Sequence, residues 1–495
     1  MSKVKRILSV IMAMVMVLAM SVPTFAETKK PVETDAAAVT ISNVENGATI
    51  TAYQIIDASY GANGFLGYVW AKGMTNADQT VSNPMTAVTS DMITALAKNP
   101  AGLEKVSNVV SDQTQLTVGT WMLIVTPPST NPEKVYNPMV VSVYYNVDKS
   151  GDDNTAIGGA VSAKEKWTLA TTNAYAKSTE IKLTKTVKSE DKLAEVGESV
   201  DFTISGTIPS YSAEYTAPKY VLKDTIVNGL EYPEKMTPSV KVGGNAVGAS
   251  NYKFTLAENK KSFTVEFNSQ YILSLANLTE EQRAVTVDYS ANITEEAITH
   301  VAENRAELNY TTKPNEEKDA TPSSAYVATF SLNNVIEKVK EDNTALDKAE
   351  FTLYRDEDLT NKFDSYTTTT DGDIQFEGLA GDQVYYLKET KAPDGYSLND
   401  TVYKIEFTDI TYDAENGKVV SYNVKITNMT TNQVVNGAIN YGSPATDFAT
   451  TVVNTKISSL PSTGGIGTTI FTIGGCAIMI VAAGLFFATR RKTQK

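Results

Sequence analysis

The chain has 495 residues, enough for about three domains. Its formal net charge of −14 argues against nucleic acid as a partner. One Cys and one His leave no internal disulfide and no Cys/His metal cluster, and nothing in the composition asks for a cofactor.

The first 26 residues, "MSKVKRILSVIMAMVMVLAMSVPTFA", place Lys3, Lys5 and Arg6 before an apolar run and small residues. That pattern is a secretory signal with cleavage after Ala26. Residues 27–35, "ETKKPVETD", are polar and expected to be flexible. A mainly β first domain follows, to residue 177, opening with "AVTISNVENGATITAYQIIDASY". In it "MTAVTSDMITALAKNPAGLEKVSNVV" reads as helical, "TWMLIVTPP" and "YNPMVVSVYYNV" read as strands, and "DKSGDDN" reads as a turn-rich loop. The whole extracellular part is rich in short alternating runs of Thr, Val and Tyr broken by Asn and Gly. That pattern indicates all-β sandwiches.

A second domain is expected over 178–322 and a third over 323–457, with the charged and Pro/Ser-rich "NEEKDATPSS" at the boundary. Residues 458–495 begin with "LPSTG", Leu460–Gly464. Ile466–Ala488 is then long enough to cross a bilayer, and Arg490, Arg491 and Lys492 keep the tail cytoplasmic. A Cys/His dyad is implausible because Cys476 lies in that apolar segment. His300, in "AITHVAEN", reads as an ordinary surface or half-buried histidine.

Alternation within the strands sets a harder problem. In "YYLKETKAPDGY", Tyr385, Leu387 and Glu389 share one face, so a carboxylate points at a core. Lys338 is in phase with Ile336, and Asn454 with Val452. In the second domain Lys185 is in phase with Ile181, Leu183 and Val187. Asp224 is in phase with Tyr220, Leu222 and Ile226, and Asn304 with Ala302, Ala306 and Leu308. Each domain thus aims a Lys, an acid and an Asn inward, which is costly for separate polar groups. Chemistry removes the cost. Burial pushes a lysine pKa down and a carboxyl pKa up, so a neutral amine can attack the Asn carboxamide beside a protonated acid. The product is an uncharged Lys–Asn amide, with ammonia lost. The alternative is a buried ion pair, with the Asn in a turn or capping an edge.

"LPSTG", the span and the basic tail, in that order, resemble the cell-wall sorting signal of Gram-positive surface proteins. The resemblance implies that a sortase recognises Leu460, Pro461, Ser462, Thr463 and Gly464. It would cut after Thr463 and pass the Thr463 acyl group to an amine. "YYLKETKAPDGY" resembles the E-box of sortase-assembled pilins at Tyr385, Leu387, Glu389, Thr390, Ala392, Pro393, Gly395 and Tyr396. "EKVKEDNTALDKAEFTLY" resembles the opening of a Cna B-type domain, except that Lys348 stands where Gly is usual, and "VVNTK" resembles its close. The second domain resembles the Cna A type, in which an Asp replaces the Glu. In such domains these positions form isopeptide bonds: here Lys338–Asn454 with Glu389, and Lys185–Asn304 with Asp224.

Pilins of this family carry an acceptor lysine in a motif like W-x-x-x-V-x-V-Y-P-K-N. "WTLATTNAYAKSTEI" is similar at Trp167, Tyr175 and Lys177, but Ala176 replaces Pro, Ser178 replaces Asn, and the spacing is one residue longer. Lys177 is therefore the expected acceptor, with Lys164 and Lys166 as neighbours. The resemblance implies immunoglobulin-like sandwiches in the shaft subunit of a covalent pilus. Its partners would be a pilus-class and a housekeeping sortase, identical subunits head-to-tail, minor pilins, peptidoglycan and a host surface ligand. A minor pilin or monomeric wall-anchored adhesin is the alternative, and no constellation indicates a wall-anchored enzyme.

Overall fold

The computed structural model describes residues 30–130, 133–147, 160–162, 166–188, 192–212, 214–314, 316–443, 445, 447–457 and 466–492. The signal segment, the "DKSGDDN" loop and the LPSTG motif lie outside these. Internal contacts divide the chain into two compact units. One holds residues up to Thr329 together with Asp413–Lys418, and the other holds the rest from Phe330.

In the first unit, the N-terminal part comprises β1 (Ile41–Ser42), β2 (Thr49–Gly61), β3 (Gly64–Trp70), α1 (Ser90–Lys98), β4 (Gly119–Thr126), β5 (Lys134–Tyr136), β6 (Met139–Val147), β7 (Trp167–Thr171) and β8 (Ala174–Tyr175). An eight-stranded sheet runs β3-β2-β4-β6-β7 along its main path. Its inward residues, Trp121, Tyr145 and Trp167 among them, form one apolar core. The helix is much shorter than its sequence suggested. Thr89 caps its start by accepting from Met92 N at 3.3 Å, and Pro100 follows directly after the cap. Lys105–Ser107 then pairs with β2. The segment before β1 is also less free than its polarity implied. Asp35 is buried, its carboxylate accepts from Tyr145 Oη and Val32 N, both at 2.8 Å, and Ala36–Ala38 pairs with Gln115–Thr117.

The middle part is a two-sheet sandwich with its own core drawn from both sheets. Its strands are β9 (Ser178–Glu180), β10 (Thr184–Val187), β11 (Ser199–Thr207), β12 (Tyr220–Asn228), β13 (Ser239–Val242), β14 (Tyr252–Leu256), β15 (Ser262–Phe267), β16 (Ala284–Ile293), β17 (Ala302–Lys313), β18 (Glu316–Asp319) and β19 (Ser323–Val327). One sheet runs β10-β11-β16-β13 and the other β14-β15-β12-β17-β18, with β19 also on β17. The "NEEKDATPSS" stretch is therefore not a bare linker. It supplies β18 and the start of β19, both hydrogen-bonded to β17. Residues 323–327 consequently pack with the middle sandwich, and the second compact unit starts at Phe330.

The second unit contains β20 (Ile336–Lys340), β21 (Glu350–Tyr354), β22 (Lys362–Thr367), β23 (Tyr385–Lys391), β24 (Val402–Tyr412), β25 (Val419–Asn428), β26 (Val434–Asn440), β27 (Thr450–Asn454) and α2 (Ile466–Lys492). Six strands run β22-β21-β23-β24-β25-β26, and β20 pairs in parallel with β27, joining the first strand to the last. Within α2, Ile470–Arg490 has mean hydropathy 2.3 and is exposed along its length, long enough to cross a bilayer.

Lys348 has φ 61°, in the left-handed region, and its N–H donates to Thr368 O at 2.9 Å. A Cβ is strained there, which gives the physical reason for Gly at this point in similar domains. Lys348→Gly is expected to raise stability by about 0.5–1 kcal/mol, the relief of strain exceeding the added chain entropy. Thermal or denaturant unfolding of the two proteins checks this, and Lys348→Val should move the other way.

Candidate functional site

In the second unit, β20, β23 and β27 bring Lys338, Glu389 and Asn454 into one buried site. Their exposures are 0%, 1% and 1%. Parallel pairing sets Lys338 beside Val452 and Asn454 beside Lys340, so the lysine and asparagine share the inward face two residues apart in register. Lys338 Nζ donates to Val452 O at 2.7 Å and Val339 O at 3.2 Å. Two donated bonds use both hydrogens of a neutral amine and leave its lone pair free. Burial pushes Lys338 down to about 8, against the opposing pull of the Glu389 charge.

Glu389 is held from two directions. Asn454 Nδ2 donates to Oε1 at 2.7 Å, and Asn399 N donates to Oε2 at 2.8 Å. Burial raises its pKa against these hydrogen bonds and the nearby Lys338. The rest of the E-box stretch shapes this pocket. Tyr385 Oη accepts from Ala380 N at 2.9 Å. Gly395 takes φ 86°, and the turn it permits lets Ile457 N donate to Gly395 O at 2.9 Å. Asn399 went unrecognised in the sequence because it lies in a loop, where alternation carries no signal.

In the middle sandwich, Lys185 comes from one sheet, and Asp224 and Asn304 from adjacent strands of the other. The side chains of Lys185 and Asp224 are wholly enclosed, as is Asn304. Lys185 Nζ pairs with Asp224 Oδ2 and also donates to Tyr289 Oη. It lies 5.0 Å from the Phe202 ring centre and 4.8 Å from that of Tyr289. Burial pushes Lys185 down against the Asp224 charge. Tyr232 Oη donates to Asp224 Oδ1 at 2.6 Å, and Asn304 Nδ2 donates to Tyr289 Oη at 2.9 Å. Sequence reasoning missed both tyrosines. Tyr289 was detectable in "VTVDYSANI", where it shares its face with Val285, Val287 and Ala291, all buried.

The side-chain carbonyl oxygens of Asn304 and Asn454 are buried without a hydrogen-bond partner. Such an atom costs about 1–3 kcal/mol, and each belongs to a site that also encloses a lysine whose pKa burial pushes down. The two sites share the ingredients of amide formation: an enclosed amine, a carboxyl and a carboxamide.

Lys177 is exposed, between β8 and β9. Its backbone is fixed on both sides: β8 pairs in parallel with β1, and β9 pairs with β5. Asn137 N donates to Lys177 O at 3.0 Å, and Asn137 Nδ2 donates to Ser210 O at 3.0 Å. The Tyr215 hydroxyl lies within 3.0 Å of Tyr136 O and 3.1 Å of Thr312 O. Of the matching motif residues, Trp167 and Ala176 are buried and Tyr175 is exposed. Lys166 is exposed, and Lys164 lies outside the described residues, as do Leu460, Pro461, Ser462, Thr463 and Gly464. His300 is exposed beside Thr299, and Cys476 is exposed on α2.

Three family models match in chain order. They are the T6 antigen Ig-like domain over residues 34–178, the prealbumin-like fold domain of the SpaA type over 333–434, and the LPXTG cell wall anchor motif over 452–495. The trypsin-resistant surface T6 protein of Streptococcus pyogenes serotype M6 is 24% identical over 92% of this chain and 95% of its own. Fimbrial subunit type 2 of Actinomyces naeslundii is 25% identical over 68% of this chain and 65% of its own. The solved T6 backbone pilin, described as a modular three-domain structure, has the same fold. Its TM-score is 0.57 at 20% identity, over 87% of this chain and 100% of that one. The LPXTG anchor and the apolar α2 attach the protein to the cell wall after transient retention in the membrane. By these matches the chain is similar to surface-pilus and fimbrial subunits of Gram-positive bacteria, and it carries an Ig-like domain of the T6 type, a prealbumin-like domain and an LPXTG cell wall anchor.

Proposed function

We propose that this protein is the repeating shaft subunit of a covalent pilus, strengthened by two amides that it forms within itself. The observation that carries the second half is the pair of enclosed Lys–acid–Asn sites, each with an unpartnered Asn carbonyl. In each, the acid takes a proton from the lysine. The neutral Nζ adds to the Asn Cγ, one Nζ proton passes to Nδ2, the Cγ–Nδ2 bond breaks, and ammonia leaves. Glu389 serves Lys338–Asn454, and Asp224 serves Lys185–Asn304. Each acts once, so the protein is a structural subunit and not a turnover enzyme.

In polymerisation, a pilus-class sortase cleaves LPSTG after Thr463 and transfers the acyl group to Lys177 of the next subunit. A housekeeping sortase joins the last subunit to peptidoglycan. The domain scheme of 27–177, 178–322, 323–457 and 458–495 belongs to this reading, with β19 packing on the middle sandwich. The exposed lysine on a fixed backbone favours the shaft. A minor pilin or monomeric adhesin needs the anchor but no acceptor.

Intact mass of recombinant residues 27–463 is expected to fall short of the sequence mass by two ammonias. Glu389→Ala and Asp224→Ala should each restore one and lower the thermal midpoint, since each link closes a loop worth about 5 kcal/mol on the chain-entropy model. A mass equal to the plain sequence would leave the acids as buried ion-pair partners.

Lys177→Arg keeps the charge but removes the acyl acceptor. In cells with the pilus sortase, it should abolish the high-mass ladder on denaturing gels while monomer stays on the wall. A persistent ladder would move the acceptor to Lys164 or Lys166.

Asn454→Ala leaves Lys338 unreacted and exposes its titration. The folded value of about 8 lies below the ordinary 10.5. Between them the unfolded chain binds the extra proton, so stability rises with pH from about 8 and levels near 10.5. Thermal midpoints should show this rise relative to the Lys338→Met, Asn454→Ala double variant, and parallel curves would contradict it.

A further inference from the structure

The two sites differ in how the acid reaches the asparagine. Glu389 touches Asn454 Nδ2 directly at 2.7 Å. Asp224 is one methylene shorter, and its Oδ1 and Oδ2 are taken by Tyr232 and Lys185. The hydrogen bond from Asn304 Nδ2 goes to Tyr289 Oη instead, at 2.9 Å. The same phenol oxygen accepts from Lys185 Nζ. It is thus one atom in hydrogen-bond contact with both the nitrogen that attacks and the nitrogen that leaves. Lys185 Nζ also pairs with Asp224, so the phenol, the acid and both nitrogens form one connected network.

We propose that the Tyr289 hydroxyl is a catalytic relay that carries the proton from Lys185 Nζ to Asn304 Nδ2 as the amide forms. This rests on the reading that Lys185 and Asn304 become joined. Asp224 first takes one proton from the lysine ammonium, and the Nζ lone pair then adds to Cγ. As Cγ becomes tetrahedral, Nδ2 loses its amide resonance and changes from donor to acceptor. The phenol oxygen takes the proton that Nζ sheds and gives its own to Nδ2. The Cγ–Nδ2 bond breaks, ammonia leaves, and Tyr289 ends as the neutral phenol with which it began. No other reactant is needed. In the second unit the acid itself touches the leaving nitrogen, so no phenol is needed there.

The ring of Tyr289 packs 4.9 Å from Phe263 and 5.9 Å from Phe202, so Tyr289→Phe keeps the packing and removes only the hydroxyl. The full-length chain is sampled at intervals after synthesis is stopped, digested, and mapped by mass spectrometry for the linked Lys185–Asn304 peptides. The linked Lys338–Asn454 peptides in the same sample serve as the folding control. Tyr289→Phe is expected to slow the middle-domain link by roughly 10²-fold, the usual worth of a positioned proton carrier, while the control link forms normally. Tyr232→Phe removes a hydrogen bond to Asp224 but touches neither nitrogen, so it is expected to slow the link clearly less than Tyr289→Phe does. A Tyr289→Phe protein that links as fast as the parent overturns the relay. Equal slowing in both variants also overturns it, since any disturbance of Asp224 would then suffice. A parent chain with no Lys185–Asn304 peptide, or an Asp224→Ala chain that still forms one, refutes the underlying reading instead.

Discussion

A charge enclosed in an apolar interior is the constraint on which both strengthened domains depend. Water solvates an ammonium or carboxylate far better than a sheet interface does. The fold nevertheless encloses Lys185 and Lys338, the two buried lysines among the described residues. Enclosure favours the neutral amine, and only the neutral amine is a nucleophile. The energy that strand pairing and core packing spend on burying these groups is thereby turned into reactivity. The proposed amide formation would then remove the cost by leaving no charge on either nitrogen. The site is unfavourable before reaction and favourable after it, so folding and cross-linking are expected to run in one direction.

The two domains meet this constraint with different geometry. In the second unit the lysine and asparagine lie on adjacent parallel strands, and the glutamate reaches over from the neighbouring sheet. In the middle sandwich the lysine faces its partners from the opposite sheet. Aromatic rings wall the ammonium on two sides and stabilise it until the proton moves. In the middle sandwich Tyr289 Oη stands between Lys185 Nζ and Asn304 Nδ2, whereas in the second unit the longer acid touches the carboxamide itself. One chemical outcome thus tolerates unlike architectures, provided that the amine is enclosed and a proton carrier touches the carboxamide.

Much of this was legible because strands alternate. A period of two places Lys338, Glu389, Asn454, Lys185, Asp224 and Asn304 inward from local pattern alone, and all six are buried. The features that escaped depend on contacts between distant segments. Asn399 holds Glu389 from a loop without periodicity. Tyr289 looked like any inward aromatic, since only its neighbours give its hydroxyl a task. The stretch "NEEKDATPSS" read as a domain boundary from its charge and proline, yet β17 recruits Glu316–Asp319 and Ser323–Val327 as strands. Asp35 looked solvated, and a tyrosine 110 residues away buries it. Composition describes what a segment prefers alone, and pairing partners decide what it becomes.

The placement of the cross-links follows from where force would travel. In the proposed polymer, tension enters a subunit at Lys177 and leaves at Thr463. The covalent path between them runs through the middle sandwich and the prealbumin-like domain. Under the proposed cross-linking, each would carry a lysine–asparagine amide joining an early strand to a late one, so load would pass through the amide and spare the sheet hydrogen bonds. Residues 34–176 hang outside this path, and no buried lysine occurs among those described. The junction itself must still bear load without hinging. Its stiffness comes from β5, which belongs to the N-terminal part by sequence yet pairs with β9 and places Val135 in the middle core. The N-terminal part therefore braces the proposed attachment point of the neighbouring subunit, which would require rigidity at Lys177 and no covalent reinforcement within.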